Sequence, residues 1–304
     1  MKTNLRQSKI LLLGIGIAAG IAVIPHAAHA ADPWTFNAAA SATYGAYTDS
    51  IYRDRLSESG ITISGDYLDK GGLTAGYGKT RVGMKNSITA TDQANLLLSG
   101  RLHFWPAALP GRLTVRLDGY RINNNDVTGN TDRVNVVAPQ VGWLSSDATL
   151  YLDLGYANSR YQNQLTAHQT TPTVGFGFNS GADWVQLRAY LIRGLNPARA
   201  AGQSGTSGLD MKWTHFFASE SPLMPASLSL GVATGERLYA VDIDAQSVAN
   251  LVDMHKGAAS LALTWKLTKR AKLFLLAGQS RFRNLALSND YKLNVGYASL
   301  SIDW

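Results

Sequence analysis

A period of two, sustained almost to the last residue, constrains this chain more than any other feature. Residues 260–267 set Leu261, Leu263, Trp265 and Leu267 against Ser260, Ala262, Thr264 and Lys266. Residues 171–178 set Pro172, Val174, Phe176 and Phe178 against Thr171, Thr173, Gly175 and Gly177, and residues 227–233 keep the same rhythm. Successive side chains of a strand point to opposite faces, so each segment reads as a strand with one apolar face. About fourteen strands are predicted, with twelve as the alternative count, at 34–48, 59–68, 72–85, 93–105, 112–122, 133–145, 148–160, 169–179, 183–194, 207–218, 226–236, 255–268, 271–283 and 291–304. No long helical periodicity competes with them after the leader described below, which makes the class all-β.

The connections alternate in length. Asp69-Lys70-Gly71, Ser145-Ser146-Asp147, Ser180-Gly181-Ala182 and Lys269-Arg270 are tight turns, and 106–111 and 219–225 on the same side carry Pro. Longer polar stretches lie between them at 49–58, 86–92, 123–132, 161–168, 195–206, 237–254 and 284–290. Short turns on one side and long loops on the other describe an antiparallel transmembrane β-barrel. A soluble sandwich needs an outer face charged enough for water, but charged residues are only 16% of this chain and its polar faces are mostly Gly, Ser, Thr and Ala. Trp34, Phe36, Trp105, Trp143, Phe178, Trp213, Phe217, Trp265 and Trp304 fall near segment ends, where a ring can sit half in lipid and half in water.

Residues 1–30 have the three parts of a cleaved secretory signal peptide, leaving 31–304 as a single barrel domain. Lys2, Arg6 and Lys9 precede an apolar run over 10–24, Pro25 breaks it, and Ala28-His29-Ala30 offers a small-x-small cleavage site. An uncleaved anchor is the alternative. Three of the 28 basic residues and none of the 21 acids lie in this segment, so removing it lowers the net charge from +7 to +4 and weakens the case for a nucleic-acid partner. The absence of Cys excludes disulfides, thiolate metal sites and cysteine nucleophiles.

The chain ends Gly296-Tyr297-Ala298-Ser299-Leu300-Ser301-Ile302-Asp303-Trp304. This ending resembles the terminal β-signal of Gram-negative outer-membrane β-barrel proteins, with Tyr297, Leu300, Ile302 and Trp304 as its assembly residues and Trp in place of the usual terminal Phe. The motif covers about ten residues, and the hairpin rhythm extends the likeness over the mature chain. It implies a porin-like barrel in the bacterial outer membrane, inserted by the barrel-assembly machinery, with periplasmic turns and extracellular loops. No narrower family is indicated.

Taking the Leu/Val-rich parity as lipid-facing assigns Arg101, His103, Arg112, Arg116, Asp118, Asp153, Arg188, Asp210, Lys212 and Lys266 to the lumen. Their modest cationic excess would favour anionic solutes; a lining of ion pairs is the competing reading. A second basic set, Lys79, Arg81, Arg121, Arg160, Arg193, Arg281 and Arg283, falls on the lipid-facing parity near the loop ends. Arg can grip phosphate with two parallel donors, so this rim is expected to meet lipopolysaccharide, with snorkelling of solvated side chains as the alternative.

Catalysis is not expected. His103, His168, His215 and His255 form no H-x-x-x-H pair and none sits beside a carboxylate at ligand spacing. Residues 124–132 loosely follow a calcium loop, but position twelve is Asn135 and a polar hairpin tip is the better reading. Asp242, Asp244 and Asp253 read as a solvated surface segment. The expected function is a channel, without metal or cofactor, through which small hydrophilic solutes diffuse. The alternatives are a non-conducting structural barrel that binds lipopolysaccharide or a partner, and an exopolysaccharide export barrel. A monomer is expected.

Overall fold

A computed structural model describes residues 33–304 apart from 87, 127, 128, 219, 220, 222 and 250–252. The leader assigned to residues 1–30 lies outside the described residues. Fourteen strands form one closed antiparallel barrel, each paired with its neighbours along the chain. They are β1 (Trp34–Thr48), β2 (Arg53–Tyr67), β3 (Gly71–Met84), β4 (Thr91–Phe104), β5 (Gly111–Asn124), β6 (Val134–Ser145), β7 (Leu150–Arg160), β8 (Thr166–Phe178), β9 (Asp183–Arg193), β10 (Gly205–Phe216), β11 (Ser227–Arg237), β14 (Asp253–Lys266), β15 (Ala271–Asn284) and β16 (Asn289–Asp303). Two short strands between β11 and β14, β12 (Val241–Asp242) and β13 (Ser247–Val248), form a separate hairpin.

The barrel closes where the last strand meets the first. Asn37 faces Asp303 and Thr48 faces Lys292 across this seam. Phe36 and Trp304 exchange backbone hydrogen bonds at 3.0 Å in both directions. Outside it, the Trp34, Phe36 and Trp304 rings stack at 6.0 and 6.2 Å. Leu300, Ile302 and Trp304 thus project outward, while Tyr297 lies on the opposite parity and meets Phe274 inside at 5.8 Å. The terminal motif therefore divides between the two faces of β16.

The structure corrects one boundary. The stretch 49–58 is polar enough to read as loop, yet β2 begins at Arg53, with a bulge between Arg53 and Arg55. A strand that continues past the lipid band no longer needs an apolar outer face, so alternation fades before the hydrogen-bond ladder does.

The nine end-of-segment aromatics all gather at the short-turn end, whereas the outward residues at the loop end are largely basic or polar. Between these rims the outer surface is apolar, with Leu73, Leu98, Leu117, Leu154 and Leu261 all exposed. Such a surface needs lipid around it.

Candidate pore and its inward-folded loop

Charged side chains on inward positions at mid-barrel sit in register around the wall. Arg101 is opposite Arg116, Arg116 opposite Gln140, Thr173 opposite Arg188, and Arg188 opposite Asp210. The ladder dictates this ring, because each inward residue on one strand faces an inward residue on the next. Most of its members are paired. Arg101 grips Asp66 with contacts of 2.6 and 2.7 Å, Arg116 donates to Asp118 at 2.8 Å, and Arg237 donates to Asp210 at 2.8 Å. His103 shares a 2.9 Å hydrogen bond with Thr114. Among the described residues Arg112, Lys212 and Lys266 have no ion pair within 4.0 Å, and Lys266 is exposed at the short-turn end.

Sequence periodicity does not reveal that residues 238–249 turn inward. Rather than lying solvated on the surface, they carry the β12–β13 hairpin into the lumen, and Asp242 and Asp253 are buried. Asp242 and Asp244 both reach Arg188, at 3.6 and 2.7 Å, and Asp153 approaches the same guanidinium at 3.9 Å. Arg188 also donates to Thr173 at 2.9 Å, while Arg116 donates to the carbonyl of Ile243 at 3.2 Å. Gln169 accepts from the Val241 amide at 2.9 Å and its own amide donates back to the Val241 carbonyl. Burial raises the Asp244 carboxyl, but Arg188, Lys212 and Arg116 outweigh it and hold the group below the ordinary carboxylate range.

Apolar packing completes the docking. Leu238, Tyr239, Val241, Ile243 and Val248 join Ile122, Val136, Leu165 and Ile192 in one buried cluster. A Cβ at Gly155 would stand 3.1 Å from the Ile243 Cδ1, tighter than ordinary contact, so glycine there lets the hairpin tip lie close against the wall. Arg199 ties the neighbouring loops together, donating to the carbonyls of Gln162, Asn163 and Asn130 at 3.0, 2.6 and 3.3 Å.

Burial inside the barrel is graded along its axis. Near the loop end, inward side chains such as Tyr47, Leu56, Val82, Ile122, Val134, Ile192 and Leu293 are buried. Towards the short-turn end, Asn37, Ser64, Arg101, His103, Arg112 and Lys272 are only half-buried. The lumen is thus a vestibule that widens towards the short turns and is packed near the loops.

Lys79, Arg81, Arg121, Arg160, Arg193, Arg281 and Arg283 all stand on outward positions near the loop end. Arg81 is paired with Asp92 at 3.2 Å, Arg121 donates to Asn135 at 2.8 Å, and Arg193 donates to the Ile192 carbonyl at 2.9 Å.

One pairing runs against the sequence reading of the histidines. His215 lies 3.0 Å from Asp183 on the outer face near the short turns, with Trp213 donating to the same carboxylate at 3.0 Å. The contact joins neighbouring strands from positions 32 residues apart, which local spacing cannot show. In the 124–132 loop, Asp132 accepts from the Asn124 amide at 2.8 Å and Asp126 from the Thr131 amide at 3.2 Å, so both carboxylates serve the loop itself. Among the described residues no group of three His, Cys, Asp or Glu could hold a metal ion.

No family model matches the sequence, and no curated protein matches it. Solved structures do. The toluene transporter TodX of Pseudomonas putida superposes with a TM-score of 0.53 at 10% identity, over 90% of each chain. The chain has the fold of an outer-membrane β-barrel. Outer membrane protein Omp33 of Acinetobacter baumannii is also similar, with a TM-score of 0.47 at 7% identity over 89% of this chain and 99% of its own. For an outer-membrane barrel of this kind, short turns face the periplasm and long loops the exterior.

Proposed function

We propose that this barrel is an outer-membrane channel for small hydrophilic solutes, and that its hairpin loop constricts the lumen. The interior carries this reading: a polar, half-hydrated vestibule opens towards the periplasm and narrows to a layer of buried side chains beneath the loops. Sharing a fold with a transporter supports the channel part of this reading. Selectivity would come from the lining charge that ion pairs leave uncompensated. Arg112 and Lys266 supply it near the periplasmic mouth, so a weak preference for anions belongs to the proposal. Planar-bilayer recording tests both parts. A measurable current is expected, with a reversal potential under a salt gradient that moves towards non-selective when Arg112 and Lys266 are changed to Gln. Absence of current from the folded barrel under all voltages, with the hairpin removed as well, would reject the channel.

The packed extracellular half favours a second reading, a closed barrel whose rim binds lipopolysaccharide. Arg281 and Arg283 would meet its phosphates. Changing both to Glu should lower retained lipopolysaccharide without altering insertion; unchanged retention counts against the rim. Assembly through the barrel machinery, with Leu300, Ile302 and Trp304 outward on the last strand, belongs to either reading.

A further inference from the structure

The hairpin does not fill the lumen evenly. It packs on β5–β9, where Gly155 and Ala157 let it approach the wall, and leaves an opposite arc on β11, β14, β15 and β1 whose mid-barrel inward side chains are small. Ser229, Gly231, Ala233, Ser260, Gly278 and Ser41 face inward along that arc. A cavity of about 130 Å³ lies between the loop and the arc, with Asp253, His255 and Phe282 among its walls. A second, of about 10 Å³, is lined by Ser50, Tyr52 and Asn289 at the loop end together with Arg53, Asn284 and Tyr291. The two meet at a single layer of side chains, because Asp253 of the first touches both Arg53 and Asn284 of the second.

We propose that this layer is the extracellular gate of a conduit along the small-residue arc, with the Arg53–Asp253 pair as its bolt. The proposal rests on the channel reading above. Arg53 comes from β2 and Asp253 from β14, with β1, β16 and β15 between them in the barrel wall. The pair therefore bridges the mouth instead of joining adjacent strands. Both side chains are 2% exposed. Arg53 also donates to the Tyr291 hydroxyl, lies 5.8 Å from the Tyr47 ring centre, and donates its backbone amide to the Ser50 hydroxyl at 3.0 Å. Asn284 donates to the remaining carboxylate oxygen at 2.9 Å. Below the pair, Phe282 and Tyr291 stack at 5.4 Å, and Leu56, Val82 and Leu293 close the gap.

A buried ion pair is expensive to desolvate, so the closed layer gains little over a hydrated open one. That balance suits a two-state gate. Removing one partner tips it, since the survivor is left buried and alone and recovers its hydration by opening. The small residues beneath then offer a path whose width does not depend on displacing the hairpin.

The test is single-channel recording on the full-length folded barrel, with folding checked by heat-modifiable gel mobility. Arg53→Met, Asp253→Asn and the double variant are compared with a variant in which residues 241–248 are replaced by a Gly/Ser linker. Each bolt substitution should shift the open-to-closed ratio about a hundredfold towards open, and the double variant should not exceed the larger single effect. Should Arg53→Met fail to fold, Tyr291→Phe with Asp253→Asn is read in its place. Bolt variants with wild-type open probability beside a conducting linker variant would overturn the gate and leave the channel standing. No current from any variant would remove the channel reading, and the gate with it.

Discussion

Arg188 holds both Asp242 and Asp244 of the hairpin, and replacing it with Met isolates that contribution. Met keeps an unbranched chain of similar reach and removes the charge. Three carboxylates, on Asp153, Asp242 and Asp244, would then lose the cation they share at 3.9, 3.6 and 2.7 Å. Arg188 is 5% exposed, so solvent screening discounts little of this interaction. Breaking a buried pair by deleting one partner costs about 3–5 kcal/mol. Lys212 and Arg116 still act on Asp244 and hold the loss near the lower end, about 3 kcal/mol. That corresponds to about a hundredfold shift in the docked-to-undocked ratio. The barrel itself should survive, because its strands are held by a backbone ladder that does not involve the hairpin. Hydrogen exchange reads the difference. The Val241 amide, bonded to Gln169 at 2.9 Å, should exchange about a hundredfold faster while strand amides keep their protection. Unchanged protection at Val241, or loss across the whole barrel at once, would refute the reasoning.

Further outcomes follow from the same contacts. The depressed Asp244 carboxyl stabilises docking fully above the unfolded carboxylate value, and the contribution is lost as pH falls through the lower folded value. Hairpin protection should therefore be flat between about pH 5 and pH 7 and fall only in stronger acid, in a step that Asp244→Asn removes. Arg199→Ala deletes donors to three loop carbonyls and should make the 161–165 and 194–204 loops cleavable by external protease while gel mobility of the folded barrel stays the same. Gly155→Val places side-chain atoms where the Ile243 tip now lies, and should expose Val241 to exchange much as Arg188→Met does.

What the sequence determined by itself was the wall of this protein. A period of two makes every second residue answer to lipid, and that demand is local enough to read from neighbours along the chain. It located the strands, and it made the fold a barrel through the alternation of short turns with long loops. The register that puts Thr173 opposite Arg188 follows once the tight turn at 180–182 is placed. The lumen was legible only as a parity. Which inward charges stay free depended on tertiary structure, because two of the three acids around Arg188 come from a segment more than fifty residues further along the chain. Asp242, Asp244 and Asp253 read as surface residues because carboxylates are ordinarily solvated. They are inside because a cation waits for each, Arg188 for the first two and Arg53 for the third. A strand obeys its nearest surroundings, whereas a loop that folds inward obeys partners gathered from the whole circumference, and only closing the barrel brings those together.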